Sequence, residues 1–96
     1  PRLMRQWEDV MRECRDTGAG ARERLRIALL NVDYVTSFEL PFRLLLTRNG
    51  LFWLGIQRIA ADVQRLRQSG MTIITRDVEV SDSLTGTTRV VSGYSL

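Results

Sequence analysis

The sequence of 96 residues has no histidine and no lysine, so its fourteen basic residues are all arginine. Without histidine, the chain has no Ser-His or Cys-His pair for nucleophilic catalysis and no histidine metal ligand. Its single cysteine, Cys14, excludes an internal disulfide and a zinc site built from cysteines. The eleven carboxylates are scattered, and no spacing among them indicates a catalytic pair. We therefore expect no enzymatic activity, no metal site and no cofactor.

Long hydrophobic runs are absent as well. No apolar stretch reaches the length of a membrane-spanning helix, and no signal-peptide pattern occurs. We expect no membrane association and a cytoplasmic location. The apolar share of 44% and the charged share of 26% are typical of one globular domain. The net charge is only +3, and the exclusive use of arginine has two open explanations, a GC-rich genome or contacts with phosphate and guanine.

The amino-terminal third predicts two helices. A stripe of apolar residues at three- and four-residue spacing indicates a first helix over Leu3–Arg15. The stripe consists of Leu3, Trp7, Val10, Met11 and Cys14. The two glycines in Asp16–Gly20 predict a turn, and Ala21–Asn31 predicts a second helix. Four apolar residues of this second helix and its end are expected to point inward, namely Leu25, Ala28, Leu29 and Val32. Its arginines suit either a solvated face or phosphate contacts.

The most apolar part of the chain follows, and we predict a third helix there. Thr36 or Ser37 can cap it, and Glu39 would then stand in its first turn, where a carboxylate suits the helix dipole. Pro41 is compatible only with a helix that begins shortly before it or at it. The segment Thr47–Gly50 would form the next turn, because Asn and Gly tolerate positive φ.

The four bulky residues Leu51–Leu54 have three interpretations: a buried start of the next helix, a short strand, or an exposed patch. Beyond them, Leu54–Gly70 predicts a single helix that ends at Ser69-Gly70. Its apolar stripe consists of Ile56, Ile59, Ala60, Val63 and Leu66. The opposite face is mostly arginine and glutamine, side chains that read base edges and phosphates in the major groove of DNA.

After Gly70 the period changes to two, which predicts a β-hairpin. Ile73–Val80 and Thr87–Val91 are rich in β-branched residues, and Ser81–Gly86 forms a polar turn between them. The second strand would run on toward Leu96. Helices followed by a hairpin indicate an α+β fold, a winged helix-turn-helix with three to four helices and a carboxy-terminal β-hairpin wing.

The charges of the last two elements differ. Between Ile56 and Arg76 there are four arginines and one aspartate, which gives +3 locally, whereas Met71–Leu96 has two arginines and three carboxylates, which gives −1. A wing that follows the phosphate backbone should be basic. The charge pattern therefore supports DNA contact by the helix more than by the hairpin.

The carboxy-terminal half resembles a small helix-turn-helix family that is common in bacteriophages and prophages. The matching stretches are IAADVQRLRQSG at Ile59–Gly70, ITR at Ile74–Arg76, the turn glycine Gly86, and YSL at Tyr94–Leu96. The resemblance implies a winged-helix fold and sequence-directed binding of duplex DNA. The chain departs from this family upstream, where Thr47–Trp53 is longer and more apolar than a tight turn.

We expect one domain over residues 1–96, with a helix for dimerisation at 1–17, a helical core at 21–70 and a wing at 71–96. The first hypothesis is a phage or mobile-element DNA-binding protein that acts in transcription regulation, excision or replication. The residues assigned to DNA are Gln57, Arg58, Ala61, Gln64 and Arg65 in the groove, with Arg67 and Arg76 on phosphates at its rim. The alternative is a protein-interaction module, such as a phage-encoded inhibitor of a host protein. Its contact residues would be Trp7, Leu51, Phe52 and Trp53.

Overall fold

A computed structural model describes residues 2–41, 43–47, 50–82 and 84–96. In these ranges the chain is α+β, with three helices and two antiparallel sheets. The helices are α1 (Arg2–Thr17), α2 (Ala21–Asn31) and α3 (Ile59–Gln68). The strands are β1 (Val35–Thr36), β2 (Leu44–Thr47), β3 (Gly50–Trp53), β4 (Ile74–Ser81) and β5 (Thr88–Ser95).

The first two helices form as the apolar pattern predicts. α1 ends at Gly18, whose φ of +63° belongs to the left-handed region that glycine adopts easily. The amide of Ala19 donates to the carbonyl of Cys14 at 3.1 Å, which satisfies a carbonyl at the helix end. The bounds predicted for α2 are the observed ones. The turn expected at Asp16–Gly20 is confirmed from Gly18, whereas Asp16 and Thr17 still belong to α1, which runs two residues past its predicted end at Arg15.

α1 and α2 pack through the stripes that the sequence predicts. Trp7, Val10 and Cys14 of α1 are buried, and burial raises the pKa of the Cys14 thiol, as expected for an inert core cysteine. All four residues predicted to point inward from α2 and its end are buried, and Ile27 is buried with them. These residues join α3 and β1 in a single core.

The predicted third helix is wrong, although its cap forms. The hydroxyl of Thr36 accepts a hydrogen bond from the Glu39 amide at 3.2 Å, and Glu39 Oε1 accepts one from the Thr36 amide at 2.9 Å. This reciprocal pair is a capping box. Only a turn over residues 37–41 follows, and the leucines that begin at Leu44 form β2. A short continuous apolar run does not distinguish helix from strand by its period, and pairing with β3 decides between them.

β2 and β3 form a two-stranded sheet in which Leu44 pairs with Trp53 and Thr47 pairs with Gly50. Of the three interpretations of the bulky segment after Gly50, a short strand is therefore the right one through Trp53. Arg48 and Asn49, which belong to the predicted turn, lie outside the described residues, as does Phe42. The region predicted to be a helical core thus contains two paired strands, and the segment 54–58 separates them from α3.

The carboxy-terminal hairpin is confirmed, with each strand displaced by about one residue from its expected start. β4 and β5 pair from Ile74 opposite Ser95 to Ser81 opposite Thr88. β5 also pairs with β1, so the three-stranded sheet has the order β1-β5-β4. This places β4 at the edge of the sheet.

α3 is shorter than predicted at its amino terminus. It begins at Ile59 rather than Leu54, because Gly55 has a φ of +58° and the amides of Leu54 and Ile56 donate to Arg43 and Leu40 instead of to helical carbonyls. Leu54 and Ile56 are nevertheless completely buried. At the other end, Gly70 has a φ of +108° and donates to the Arg67 carbonyl, which confirms the predicted stop.

Candidate nucleic-acid interface

α3 has one buried face and one exposed face. The buried face consists of Asp62, Val63 and Leu66, with Ile59 partly buried. The exposed face consists of Ala60, Ala61, Gln64, Arg65 and Gln68. Since residues three and four apart share a helix face, the exposed side chains form one continuous surface of small and polar groups. Glutamine and arginine are side chains that form paired hydrogen bonds with base edges.

An ion pair across the helix interface fixes α3 on α2. Arg22 Nε lies 3.5 Å from Asp62 Oδ1, and the Asp62 side chain is only 12% exposed. Asp62 also stands in the first turn of α3, where a carboxylate suits the helix dipole. The buried apolar residues beside it pack in the core. The ion pair and the apolar packing together therefore hold α3 in place with its polar face exposed.

The structure brings together Ala61, Gln64 and Arg65 from the predicted set. Gln57 and Arg58 are exposed, but they lie in the segment before α3 rather than on it. Arg58 occupies the cap position, and its carbonyl accepts the Asp62 amide at 3.0 Å. The prediction that one helix carries all five residues is wrong, because the helix begins after Arg58.

Arg67 is bonded within the chain. Its Nη2 donates to the Ile73 carbonyl at 2.6 Å and to the Thr75 hydroxyl at 2.9 Å, and its Nε donates to the same carbonyl at 3.2 Å. These bonds join the end of α3 to the beginning of β4. Arg67 therefore positions the hairpin relative to α3, a role that the sequence interpretation did not foresee.

Arg76 lies on the other face of the hairpin from Thr75, because neighbouring residues on a strand point to opposite faces. Its guanidinium carbon is 5.4 Å from the centre of the Tyr34 ring, an arrangement that allows a cation–π contact. Thr75 contacts α3 through Arg67, whereas Arg76 contacts the segment between α2 and β1. The two rim arginines of the prediction thus do not share one surface.

The three arginines of α2 are all engaged within the chain. Arg22 pairs with Asp62, and Arg26 makes hydrogen bonds of 2.9 to 3.1 Å to the Glu23 carboxylate, which lower the pKa of Glu23. Arg24 donates to the carbonyls of Ala19 at 2.9 Å and Trp53 at 2.8 Å. The three arginines therefore stabilise the fold, a role that their spacing in the sequence does not indicate.

Arg24 is the residue that sequence reasoning missed most clearly. Besides its two carbonyl partners, its guanidinium lies 4.9 Å from the centre of the Phe52 ring. It thereby connects α2 with the loop before it and with β3. Ala60 was also missed as a member of the exposed face, because it had been assigned to the apolar stripe. Gln68, which helical spacing places on the polar side, is exposed as expected.

The residues predicted for a protein partner are mostly used by the fold itself. Trp7 is 3% exposed, so its assignment as a contact residue is wrong for this conformation. Phe52 is partly buried against the core. Trp53 is half-exposed, but its indole Nε1 donates to the Pro41 carbonyl at 3.0 Å and its ring lies over Gly55. The side chain of Leu51 lies outside the described part.

Two further features of the described residues bear on function. No group of three or more histidine, cysteine or carboxylate side chains is arranged there to hold a metal ion. None of the helices in the described ranges has both the length and the apolar composition needed to cross a membrane.

A family model described as a winged helix-turn-helix domain matches residues 21–96. The match covers most of the chain, from the start of α2 to the last residue, and the chain belongs to this family. Membership indicates DNA binding as the general activity, and the family is typically non-enzymatic. The match is longer than the carboxy-terminal half on which the sequence resemblance rests, while α1 lies before it. No curated protein and no solved structure matches the chain.

Proposed function

We propose that this protein binds duplex DNA in a sequence-directed way, with the exposed face of α3 in the major groove. The observation that carries the proposal is the division of α3 into a buried face and a face of small and polar residues, in a chain of the winged helix-turn-helix family. An α-helix fits the width of the major groove, and bases are read there through their hydrogen-bonding edges.

The exposed face of α3 supplies the groups that such reading requires. Gln64 and Gln68 can each pair with an adenine edge, and Arg65 can pair with a guanine edge. Ala60 and Ala61 add no bulk, so the helix can approach the bases closely, and a methyl side chain can contact a thymine methyl group. Gln57 and Arg58 lie at the amino-terminal end of this surface and extend it.

The hairpin of β4 and β5 is the wing in this proposal. From Met71 to the end of the chain it has two arginines and three carboxylates, a charge of −1. Phosphate contacts come mainly from basic groups, so most of the electrostatic attraction would come from α3 and the segment before it. Arg58 and Arg65 are its exposed cations, and Arg67 stands at the junction with the hairpin.

The biological role is part of the same proposal. The resemblance of Ile59–Gly70 and the following strands to phage and prophage domains favours a regulator of transcription, excision or replication on a phage or mobile element. Such a protein would act in the cytoplasm of its host, where the duplex is located. A protein-interaction role has less support, since Trp7 is buried, Phe52 is partly buried and the Trp53 indole is hydrogen-bonded within the chain.

Fluorescence anisotropy with a labelled random duplex of about 20 base pairs, roughly two helical turns, tests the DNA contact. We expect saturable binding that weakens steeply as salt rises. Arg65→Glu should weaken binding about tenfold or more, since a lost base or phosphate contact of about 1–3 kcal/mol is amplified by repulsion. Arg15→Glu is the matched control, because Arg15 is exposed on α1, outside the matched domain, and should change binding little.

Selection from a randomised duplex pool tests the sequence-directed part. Enrichment of one motif, lost when Gln64 and Gln68 are both changed to alanine, is the expected result. Salt-dependent binding with no enriched motif would leave DNA binding intact and contradict sequence-directed reading. No binding of any duplex at low salt would contradict the whole proposal.

A further inference from the structure

A groove runs along the face of the carboxy-terminal hairpin that bears Arg76. It consists of a cavity of about 580 Å³ and an adjoining one of about 380 Å³, and both are lined by Phe38 and Val80. Tyr34 and Val78 add apolar walls to the larger cavity. Tyr34 is 40% exposed and Phe38 is 56% exposed, so the rings stand open to the groove.

The strand below the groove is amphipathic. Val78 and Val80 are half-buried, whereas Asp77 and Glu79 between and beside them are exposed. Val78 packs closely on β5, since a Cβ added at Gly93 would lie 2.6 Å from Val78 Cγ2. An apolar strand face beside an open groove is suited to a partner surface, because exposed apolar groups that lie together mark interaction sites.

The same groove carries a protruding apolar residue at one end. Leu84 lines the smaller cavity and is 95% exposed at the tip of the hairpin. Asp82 Oδ1 accepts the amides of Leu84 at 2.9 Å and Thr85 at 3.4 Å, and Gly86 has a φ of +70°. These contacts hold the Leu84 and Thr85 amides on Asp82, and the Leu84 side chain protrudes beside the apolar cavity.

The charges in the smaller cavity are of opposite sign. Asp82 and Arg89 both line it, and neither forms an ion pair with another residue in the part of the chain that the structure describes. A surface with one anion and one cation is complementary to a second copy of itself. A two-fold axis brings residue i against residue j and j against i, so Arg89 of each copy can meet Asp82 of the other.

We propose that this groove is a two-fold interface between two copies of the chain, in which Leu84 of each copy enters the groove of the other. A second copy of the chain is the expected occupant, because the protruding Leu84, the apolar cavity, the Asp82 carboxylate and the Arg89 guanidinium all lie on one patch. Phe38, Val78 and Val80 form the apolar centre. Asp82 and Arg89 form the reciprocal charged contacts around it.

Direct pairing of two β4 edges is a poorer way to join two copies. When a two-fold axis perpendicular to the sheet joins two β4 strands, one residue lies opposite its own copy. The two registers that pair the most residues are centred on Asp77 and on Val78. The first places Asp77 opposite Asp77, and the second places Asp77 of each copy opposite Glu79 of the other. Like charges directly opposite each other on paired strands are destabilising. The edge is thus protected against self-pairing, while the face beside it is not.

The interface leaves the exposed face of α3 uncovered. Val78 and Val80 lie on the opposite face of the hairpin from Thr75, the residue that Arg67 of α3 contacts. A dimer joined through the groove therefore still presents two copies of α3. The inference does not depend on DNA binding, because the dimer is measured on the chain alone.

Sedimentation equilibrium over a range of protein concentrations tests the interface. We expect a reversible dimer in the wild-type chain. Phe38→Ser and Leu84→Ser should each raise the dimer dissociation constant about tenfold or more, because they remove central apolar contacts. Leu30→Ser is the matched control: Leu30 is 53% exposed on α2 and outside the groove, and its loss should leave the dissociation constant unchanged.

Charge reversal separates this surface from other dimers. Arg89→Glu should also weaken the dimer, because it places two carboxylates together, and the loss should be smaller at high salt. A wild-type chain that stays monomeric at every accessible concentration would overturn the proposal. So would a dimer that survives both serine substitutions, particularly one that Met4→Ser on α1 disrupts. Phe38 and Leu84 are exposed, so circular dichroism should show both variants folded.

Discussion

The exposed face of α3 and the groove along the hairpin are both open to solvent, yet they differ in chemistry. The α3 face has small and polar side chains, and the other side of the helix is buried. The groove has apolar walls that include Phe38 and Val80, Leu84 lies beside it, and charged residues of both signs line both of its cavities. The first suits a polar polyanion, and the second suits a protein surface. Exposure alone therefore does not identify the ligand of a surface, whereas shape and charge together distinguish a surface for DNA from a surface for protein.

The two surfaces depend on one core. Leu25 of α2 is completely buried in the cluster that also holds Val63 of α3 and Val35 of β1. Leu25→Ala should lower the free energy of unfolding by about 2–5 kcal/mol, the usual range for a buried leucine. We expect urea denaturation to show this loss, and DNA binding and dimerisation to fall together as the folded fraction falls.

Leu30→Ala is the control for this largest effect. Leu30 is half-exposed on the same helix, and the free energy of unfolding should change by no more than about 0.5 kcal/mol. If Leu25→Ala abolished one surface while the other kept its full activity, the two surfaces would not share a cooperative core. The comparison would then be between two independently folding units.

Arg65 and Arg67 lie within one turn of α3, but we expect different roles for them. Arg65 is proposed to bind DNA, whereas Arg67 positions the hairpin. Arg67→Ala should lower the free energy of unfolding by about 1–2 kcal/mol, because its guanidinium bonds to Ile73 and Thr75. Arg65→Ala should leave stability within about 0.5 kcal/mol of the wild type, because its side chain is exposed and has no hydrogen bond or ion pair with any of the described residues. The same change should weaken duplex binding. Thermal unfolding and anisotropy on both variants check this contrast, and the reverse pattern would exchange the roles of the two arginines.

The sequence predicts those parts of the fold in which one apolar pattern dominates. The stripe from Trp7 to Cys14 locates α1, and the β-branched run from Ile73 locates β4 to within one residue. Their periods of about 3.6 and 2 residues are clear over two or more turns or repeats. Glycine stops at Gly18 and Gly70 are equally local, since a left-handed residue is needed there and little else can supply it.

The middle of the chain could not be predicted in the same way. The capping box at Thr36 is a local signal of a helix start, yet only a turn follows it and the leucines from Leu44 pair with β3. That pairing depends on residues 50–53, which lie beyond the third helix that the apolar pattern suggested. The contacts of Arg24 and Arg67 within the chain were missed for a related reason. Their partners are backbone carbonyls of other segments, and every residue has a carbonyl, so the sequence does not show which one is used.

The smallest predicted effect concerns acid and the tip of the hairpin. Backbone hydrogen bonds from Leu84 and Thr85 hold the pKa of Asp82 below its ordinary value of 3.8. A carboxylate with a lowered folded pKa stabilises the loop above the ordinary value, and that contribution is lost as the pH falls through the folded pKa. The amide resonances of Leu84 and Thr85 should therefore shift toward unbonded positions only below that ordinary value, and the dimer should weaken over the same range.

Asp82→Asn isolates this effect from Asp77 and Glu79, which also titrate on the hairpin. The amide side chain keeps an oxygen that can accept the Leu84 amide but does not ionise, so the two resonances should lose their acid transition. The variant also lacks the charge that Arg89 would meet, and its dimer should be weaker at neutral pH and less sensitive to acid. If wild type and variant instead dimerise equally at every pH, Asp82 only shapes the loop, and the groove must join two copies through its apolar centre without the reciprocal charge pair.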